Sequence, residues 1–83
     1  MHADTILSRL GDQMRAARAN RGFTQKELAD LAGLPRLKVI QVEAGRATVS
    51  IEAYAKVAGA LGMELTLTPS RRPTLDELKS LDL

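Results

Sequence analysis

Histidine and cysteine, two residue types central to catalytic and metal sites, are almost missing from this chain of 83 residues. It contains one histidine, His2, and no cysteine, so neither a Ser-His-acid triad nor a zinc site built on histidine and cysteine can be assembled. The carboxylates are scattered, and neither of the phosphate-binding loop patterns GxGxxG and GxxxxGKS occurs. The sequence therefore predicts a protein with no enzymatic activity, no metal and no cofactor.

The basic residues offer a different chemistry, because they are concentrated in one part of the chain. Residues 1–46 hold eight Lys and Arg against five Asp and Glu, a net charge of +3, whereas residues 47–83 hold four against five, or −1. Such an excess of positive charge favours a polyanionic partner. The absence of cysteine suits a reducing cytoplasm, and no apolar run approaches the roughly 18 residues that a membrane span needs. Composition thus predicts a cytoplasmic protein that does not contact a membrane.

Apolar residues recur at helical spacing in four segments, and a glycine follows each of them. The first helix is predicted over about Asp4 to Arg21, and the second from a capping box at Thr24 to about Ala32. A third helix should begin at Pro35 and end near Ala44, and a fourth should follow a cap at Ser50 and end at Gly62. The apolar face of the fourth helix is predicted to consist of Ile51, Tyr54, Ala55, Ala58 and Leu61.

The spacing of apolar residues changes from helical to alternating after Gly62. Met63, Leu65 and Leu67 would lie on one face of a strand over residues 63–68. Because one strand needs a partner and a second copy is the economical source, the sequence predicts a homodimer joined through these three residues. The predicted organisation is a helical domain over residues 1–62, the dimerising β-strand over residues 63–68, and a linker with a C-terminal tail over residues 69–83.

The second and third predicted helices carry the most specific pattern in the sequence. In the run QKELADLAGLPRLKVIQV, which starts at Gln25, the small residue Ala29 precedes Gly33, and Val39 and Val42 follow on the next helix. Two helices that cross steeply through a tight turn need a small residue at their contact, a glycine in the turn and apolar side chains on the inner face. The spacing therefore predicts two helices that pack through a tight turn.

This run resembles the helix-turn-helix of the lambdoid phage repressor and Cro family, also called the Xre family, in which the pattern TQ..LA...G.....I...E.G recurs. The resemblance covers about Leu10 to Leu61. It implies an all-α fold, a repressor-like bundle of four short helices, here followed by one C-terminal β-strand and a short tail. It also implies a bacterial, cytoplasmic and nucleoid-associated regulator of transcription, chiefly a repressor, that binds a palindromic operator in double-stranded DNA as a homodimer.

The resemblance also assigns roles to individual residues. Arg18 and Glu43 match an arginine and a glutamate that form a structural ion pair between helices one and three in the family. The face of helix three opposite Val39 and Val42 enters the major groove there, where Arg reads guanine, Gln reads adenine, and aliphatic side chains touch thymine methyl groups. The DNA-contacting residues that the resemblance implies are Thr24, Gln25, Arg36, Leu37, Lys38, Ile40, Gln41, Arg46 and Thr48.

Three positions depart from the family pattern. Its members usually carry Ser or Thr where Pro35 stands and more polar groups where Leu37 and Ile40 stand. Exposed aliphatic side chains can equally mark a protein interface, so a protein-interaction adaptor that uses this fold without reading bases is the alternative function. The chain has no room for a ligand-sensing domain, and an alternating segment directly follows the fourth predicted helix. This combination resembles HipB-type antitoxins, small repressors that pair through a terminal strand and bind a toxin protein. That resemblance implies an antitoxin activity and a toxin as a further partner.

Overall fold

The computed structural model describes residues 2–69, which contain four α-helices. Helix α1 spans Ala3–Asn20, α2 spans Gln25–Ala32, α3 spans Arg36–Glu43 and α4 spans Ile51–Ala60. All four predicted helices are confirmed, and every end lies within two residues of the predicted one. The small differences arise because helix ends are set by individual capping residues, and Pro35 lies just before α3 rather than inside it.

Local hydrogen bonds set both ends of α2. The Thr24 hydroxyl accepts a bond from the backbone N–H of Glu27 at 3.0 Å, and the Thr24 N–H donates to Glu27 Oε1 at 2.9 Å. Donation to the Glu27 carboxylate, first from the Thr24 backbone N–H and then from the Thr24 hydroxyl, holds the pKa of this carboxyl below its usual value. At the other end Gly33 has φ +70°, a left-handed conformation that side chains disfavour. The capping box and the glycine therefore define α2 as the sequence predicted.

The core holds α2 and α3 as a helix-turn-helix unit against the other helices. Helix α2 contacts α3 and α4, α1 packs on α3, and α3 contacts α4. Each large aliphatic side chain buried here contributes about 1.5–3 kcal/mol relative to leaving it exposed. The resulting packing fixes which side of α3 remains outside. The buried apolar residues are Met14, Leu28, Ala29, Val39, Val42, Val49, Ala53, Tyr54, Val57, Ala58 and Leu61.

Helices α1 and α3 approach each other so closely at Gly11 that no side chain fits between them. A β-carbon added at Gly11 would lie 2.6 Å from the carbonyl oxygen of Glu43 and 2.7 Å from that of Val42. Both distances are shorter than ordinary carbon–oxygen contacts, and both partners are backbone atoms of α3. Gly11 is therefore the contact point of the two helices, although glycine inside a helix is intrinsically unfavourable.

The predicted apolar face of α4 is wrong in two of its five residues. Ile51 and Ala55 are exposed, whereas Ala53 and Val57 are buried beside Tyr54. The buried stripe follows the spacing 53, 54, 57, 58 and 61, which is shifted around the helix from the predicted stripe. In a helix with apolar residues on most sides, the neighbouring helices α2 and α3 select which of them become buried.

The strand predicted over residues 63–68 is not formed by the single chain. Residues 63–69 form neither helix nor strand, and the described residues supply no segment to pair with them. The N–H of Met63 is already used, because it donates to Ala58 O at 2.9 Å and closes the end of α4. Leu65 packs against the core while Leu67 is 98% exposed. The residues predicted to share one apolar face therefore have different environments. Apart from Pro69, the predicted linker and tail lie outside the described residues.

Candidate nucleic-acid interface

Helix α3 presents an exposed side that contains most of the residues implied to contact DNA. Val39 and Val42 are fully buried, and the helical period therefore turns Leu37 and Ile40 outward, with Arg36 and Lys38 exposed at the two edges of this side. Leu37 is 61% exposed and Ile40 is 38% exposed, which is unusual for two aliphatic side chains one turn apart. Gln41, next to Ile40, is partly exposed. The structure thus places Leu37, Ile40 and Gln41 on the outward side of α3 and the cations Arg36 and Lys38 at its edges.

Thr24 and Gln25 lie where α2 begins. The Thr24 hydroxyl caps the helix, and Gln25 is its first residue. The N–H groups in the first turn of a helix are favourable neighbours for a phosphate. The Gln25 side chain also has a partner within the protein: its Nε2 donates a hydrogen bond to Glu43 Oε1 at 3.2 Å. Sequence reasoning assigned Gln25 to DNA alone and did not anticipate this second partner.

Arg18 and Glu43 form the ion pair that the resemblance implied. Arg18 Nε donates to Glu43 Oε2 at 2.7 Å, and Arg18 Nη2 donates to Glu43 Oε1 at 3.3 Å. The third donor of the same guanidinium, Nη1, binds the backbone oxygen of Phe23 at 2.8 Å. Glu43 is buried at the end of α3, so this arginine ties α1, the segment before α2, and α3 together.

Arg15 joins the same carboxylate, and sequence reasoning missed it. Its Nε lies 3.8 Å from Glu43 Oε1, the oxygen that also accepts the Gln25 bond. Arg15 stands three residues before Arg18 on α1, so the two side chains project from the same face of that helix. The three-residue spacing of Arg15 and Arg18 was the one feature of the sequence that could have indicated this contact. The spacing becomes informative only once the buried Glu43 is known to face α1.

The loop after α3 is held in place by a tight turn and a buried tyrosine. Gly45 has φ +69°, and a β-carbon there would lie 2.7 Å from the backbone oxygen of Leu7, so only glycine fits. The Tyr54 hydroxyl donates to the backbone oxygen of Arg46 at 2.8 Å, and burial raises the pKa of this phenol. Arg46 and Thr48 consequently extend from an anchored loop, and both are exposed.

Metal-binding clusters and membrane-spanning helices are not found in residues 2–69. His2 is exposed and precedes α1 without a side-chain capping bond. In this part of the chain the side chains of His, Asp and Glu form no group able to hold a metal ion. None of the described helices combines the length and apolar character needed to cross a bilayer.

Comparison with known proteins points to the same helices. The family described as "Helix-turn-helix domain" matches residues 9–70, which contain most of α1, all of α2 to α4 and the residues that follow. The chain is also similar to a protein of Neisseria meningitidis serogroup B named "Neisseria hypothetical transcription factor", with 39% identity over 66 residues. That similarity covers 76% of this chain and 62% of the relative, so the chain spans less than two thirds of the relative's length.

Proposed function

Because this chain belongs to the helix-turn-helix domain family, we propose that it is a sequence-specific DNA-binding regulator of transcription, chiefly a repressor, of the Xre kind. The observation that carries the proposal is the division of α3 into a buried face and an outward face with two cations. Val39 and Val42 lock the helix against the core, which leaves Arg36 and Lys38 outside on a rigid element. An α-helix fits the major groove of DNA. There Arg and Lys side chains can bind the edges of bases and the phosphates that border the groove.

The test of this function is selection from a pool of random duplex DNA. A repressor of this kind should enrich one sequence, and a two-fold dimer should enrich a palindrome whose half-sites lie about 34–36 Å apart or a multiple of that distance. If a folded dimer at low salt returns no enriched sequence, the regulator proposal fails.

Residues on α3 should divide into those that attract DNA and those that discriminate between sequences. Lys38→Ala should weaken binding to all sequences alike and lower the slope of log K against log salt by about 1, because one phosphate contact is lost. Gln41→Ala should cost on the order of 1–3 kcal/mol on the selected site only, because a base contact is lost. Titrations of each variant on the selected duplex and on an unrelated duplex measure both effects. If Gln41→Ala lost the same affinity on both duplexes, Gln41 would not contact a base.

The regulator is proposed to act as a dimer that associates through residues 63–68. Support comes from Leu67, which is almost fully exposed, and from a groove of about 280 Å³ beside this segment. Leu10, Met14 and Ala58 contribute apolar walls to the groove. A second copy would cover both features, and a palindromic operator requires such a two-fold arrangement.

Changing Leu67 to aspartate should dissociate the dimer without unfolding the protomer. Leu67 contributes almost nothing to the core, so the melting of the isolated protomer should not change, while a charge inside an apolar contact should be strongly unfavourable. Sedimentation at micromolar concentration measures the association. Ile51→Asp is the matched control, since it places the same charge on another exposed aliphatic position, at the start of α4. A wild-type protein that sediments as a monomer would contradict the proposed dimer.

The antitoxin role is proposed from the sequence alone, on the alternating pattern of residues 63–68 directly after the fourth helix. If it is correct, expression of a neighbouring gene should arrest bacterial growth, and co-expression of this chain should restore growth and yield a complex of the two proteins. Growth that is unaffected by the neighbouring genes would exclude an antitoxin and leave the regulator proposal intact.

One observation favours the adaptor as a second candidate function. Leu37 and Ile40 form an exposed aliphatic pair in the centre of the outward face of α3, where a protein partner would bury them. The random-DNA selection separates the two functions, because an adaptor would enrich no sequence. The regulator remains the better supported function, since Arg36 and Lys38 flank the pair with positive charge.

A further inference from the structure

We propose that Arg15 binds a DNA phosphate and that the buried carboxylate of Glu43 holds it in position for this contact. The inference rests on the proposed DNA-binding function and adds a residue on α1 to the interface. Neither the family pattern in the sequence nor the outward face of α3 includes Arg15.

The charges around Glu43 do not balance. Two guanidinium groups, from Arg15 and Arg18, share one carboxylate, and arginine stays protonated throughout the accessible pH range. Arg18 is paired with both oxygens of Glu43, so it alone compensates the negative charge. Within residues 2–69, Arg15 contacts no other carboxylate, and the cluster therefore carries one positive charge without a partner.

The geometry presents that charge to solvent beside the start of α2. The Arg15 side chain is 60% exposed, whereas that of Glu43 is completely buried, so the arginine reaches from the surface toward the carboxylate. Gln25 Nε2 and Arg15 Nε both lie near Glu43 Oε1, at 3.2 and 3.8 Å. Gln25 has a second amide N–H, and the Nη groups of Arg15 carry further N–H donors. One phosphate could accept hydrogen bonds from both residues.

Tethering makes this arginine more than a solvated surface charge. A free arginine side chain loses rotamer entropy when it binds a phosphate, and the attraction of the fixed Glu43 carboxylate, 3.8 Å from Arg15 Nε, favours the rotamers that keep the guanidinium at this junction. Glu43 is fixed in turn because it is buried and held by Arg18 and Gln25. We therefore describe Glu43 as a positioning residue for Arg15 and Gln25, and Arg15 as the residue that touches DNA.

The experiment measures the salt dependence of binding to the selected duplex and to an unrelated duplex. Arg15→Gln should lower the log–log slope by about 0.9 on both duplexes, which makes the loss of affinity about 3.5-fold larger at 50 mM than at 200 mM KCl. Arg15→Lys should keep the wild-type slope but bind less tightly, because lysine retains the charge and loses the forked geometry. Arg9→Gln is the matched control: Arg9 is also an exposed arginine on α1, about 120° away around the helix, and its slope should equal that of wild type.

Replacing single phosphates with neutral methylphosphonates locates the contact. One position in each half-site should weaken wild-type binding several-fold and leave binding of Arg15→Gln unchanged, since that variant has already lost the contact. A wild-type slope for Arg15→Gln, or an equal loss of slope for Arg9→Gln, would overturn the inference by showing no contact or only diffuse attraction. Failure of the wild-type protein to bind DNA at any salt concentration would instead overturn the proposed function itself.

Discussion

Replacing Arg18 with alanine should destabilise the protein by about 3–5 kcal/mol, because it leaves the Glu43 carboxylate buried without its principal counter-charge. The side chain of Glu43 is 0% exposed and cannot turn to water, while that of Arg18 is 18% exposed. Glu43→Ala should therefore cost somewhat less, since the stranded arginine keeps its bond to Phe23 and can reach solvent. Gln25 and Arg15 remain near the carboxylate in Arg18→Ala, but neither offers the bidentate geometry of Arg18.

Urea unfolding at a fixed protomer concentration measures these differences, because association of the chain would also affect the apparent stability. Lys56→Ala is the control: it breaks the pair with Glu52 on the surface of α4, where both side chains are largely exposed, and should change stability by less than about 1 kcal/mol. The double replacement Arg18→Met with Glu43→Leu should recover much of the loss, since a buried pair can be replaced by apolar packing. Single variants of Arg18 and Glu43 that unfold at the wild-type urea concentration would show that the pair does not hold α1 against α3.

Gly11→Ala should destabilise the protein by roughly 1–3 kcal/mol, although alanine is the better helix former by about 1 kcal/mol. The added β-carbon would lie 2.6 Å from a backbone oxygen of α3, and a backbone atom cannot move aside without shifting the helix. The cost of separating α1 from α3 should therefore exceed the gain in helix propensity. This change would also disturb the Arg15 and Arg18 contacts, because both arginines reach Glu43 across the same junction.

Gly59→Ala supplies a matched comparison within the same protein. Gly59 lies in α4, and an added β-carbon meets no atom within 4 Å, so alanine should stabilise the chain by about 0.5–1 kcal/mol. Thermal melting of both variants should thus shift in opposite directions, by roughly 4–8 °C per kcal/mol for a domain of this size. If both glycine-to-alanine changes raised the melting temperature, the close approach of α1 and α3 at Gly11 would not exist in solution.

The positions of the helices were predictable because their ends depend on neighbouring residues in the chain. Thr24 and Glu27 close a capping box across three residues, and Gly33 ends the same helix in a left-handed conformation. The outward face of α3 was predictable for a related reason. Once Val39 and Val42 are assigned to the core, the helical period alone places Leu37 and Ile40 on the other side.

The segment after α4 shows where local patterns stop being sufficient. Alternating apolar residues indicate a strand only if another strand supplies hydrogen bonds, and the described chain contains none. The end of α4 takes the N–H of Met63, and the core takes Leu65 but not Leu67. The alternating pattern of residues 63–68 therefore indicates a segment that can pair with another strand, and one chain by itself does not form that strand.

By itself, the sequence determined the four helices, the helix-turn-helix unit and the exposed side of α3, since these follow from interactions between residues a few positions apart. Only the tertiary structure decided that Gly11 is a helix contact, that Gln25 binds Glu43 and that Arg15 shares this carboxylate. These contacts join α1 and α2 to the end of α3 across 18 to 32 positions of the sequence. Their geometry depends on the distance and angle at which the helices cross, and packing of the whole core sets both quantities.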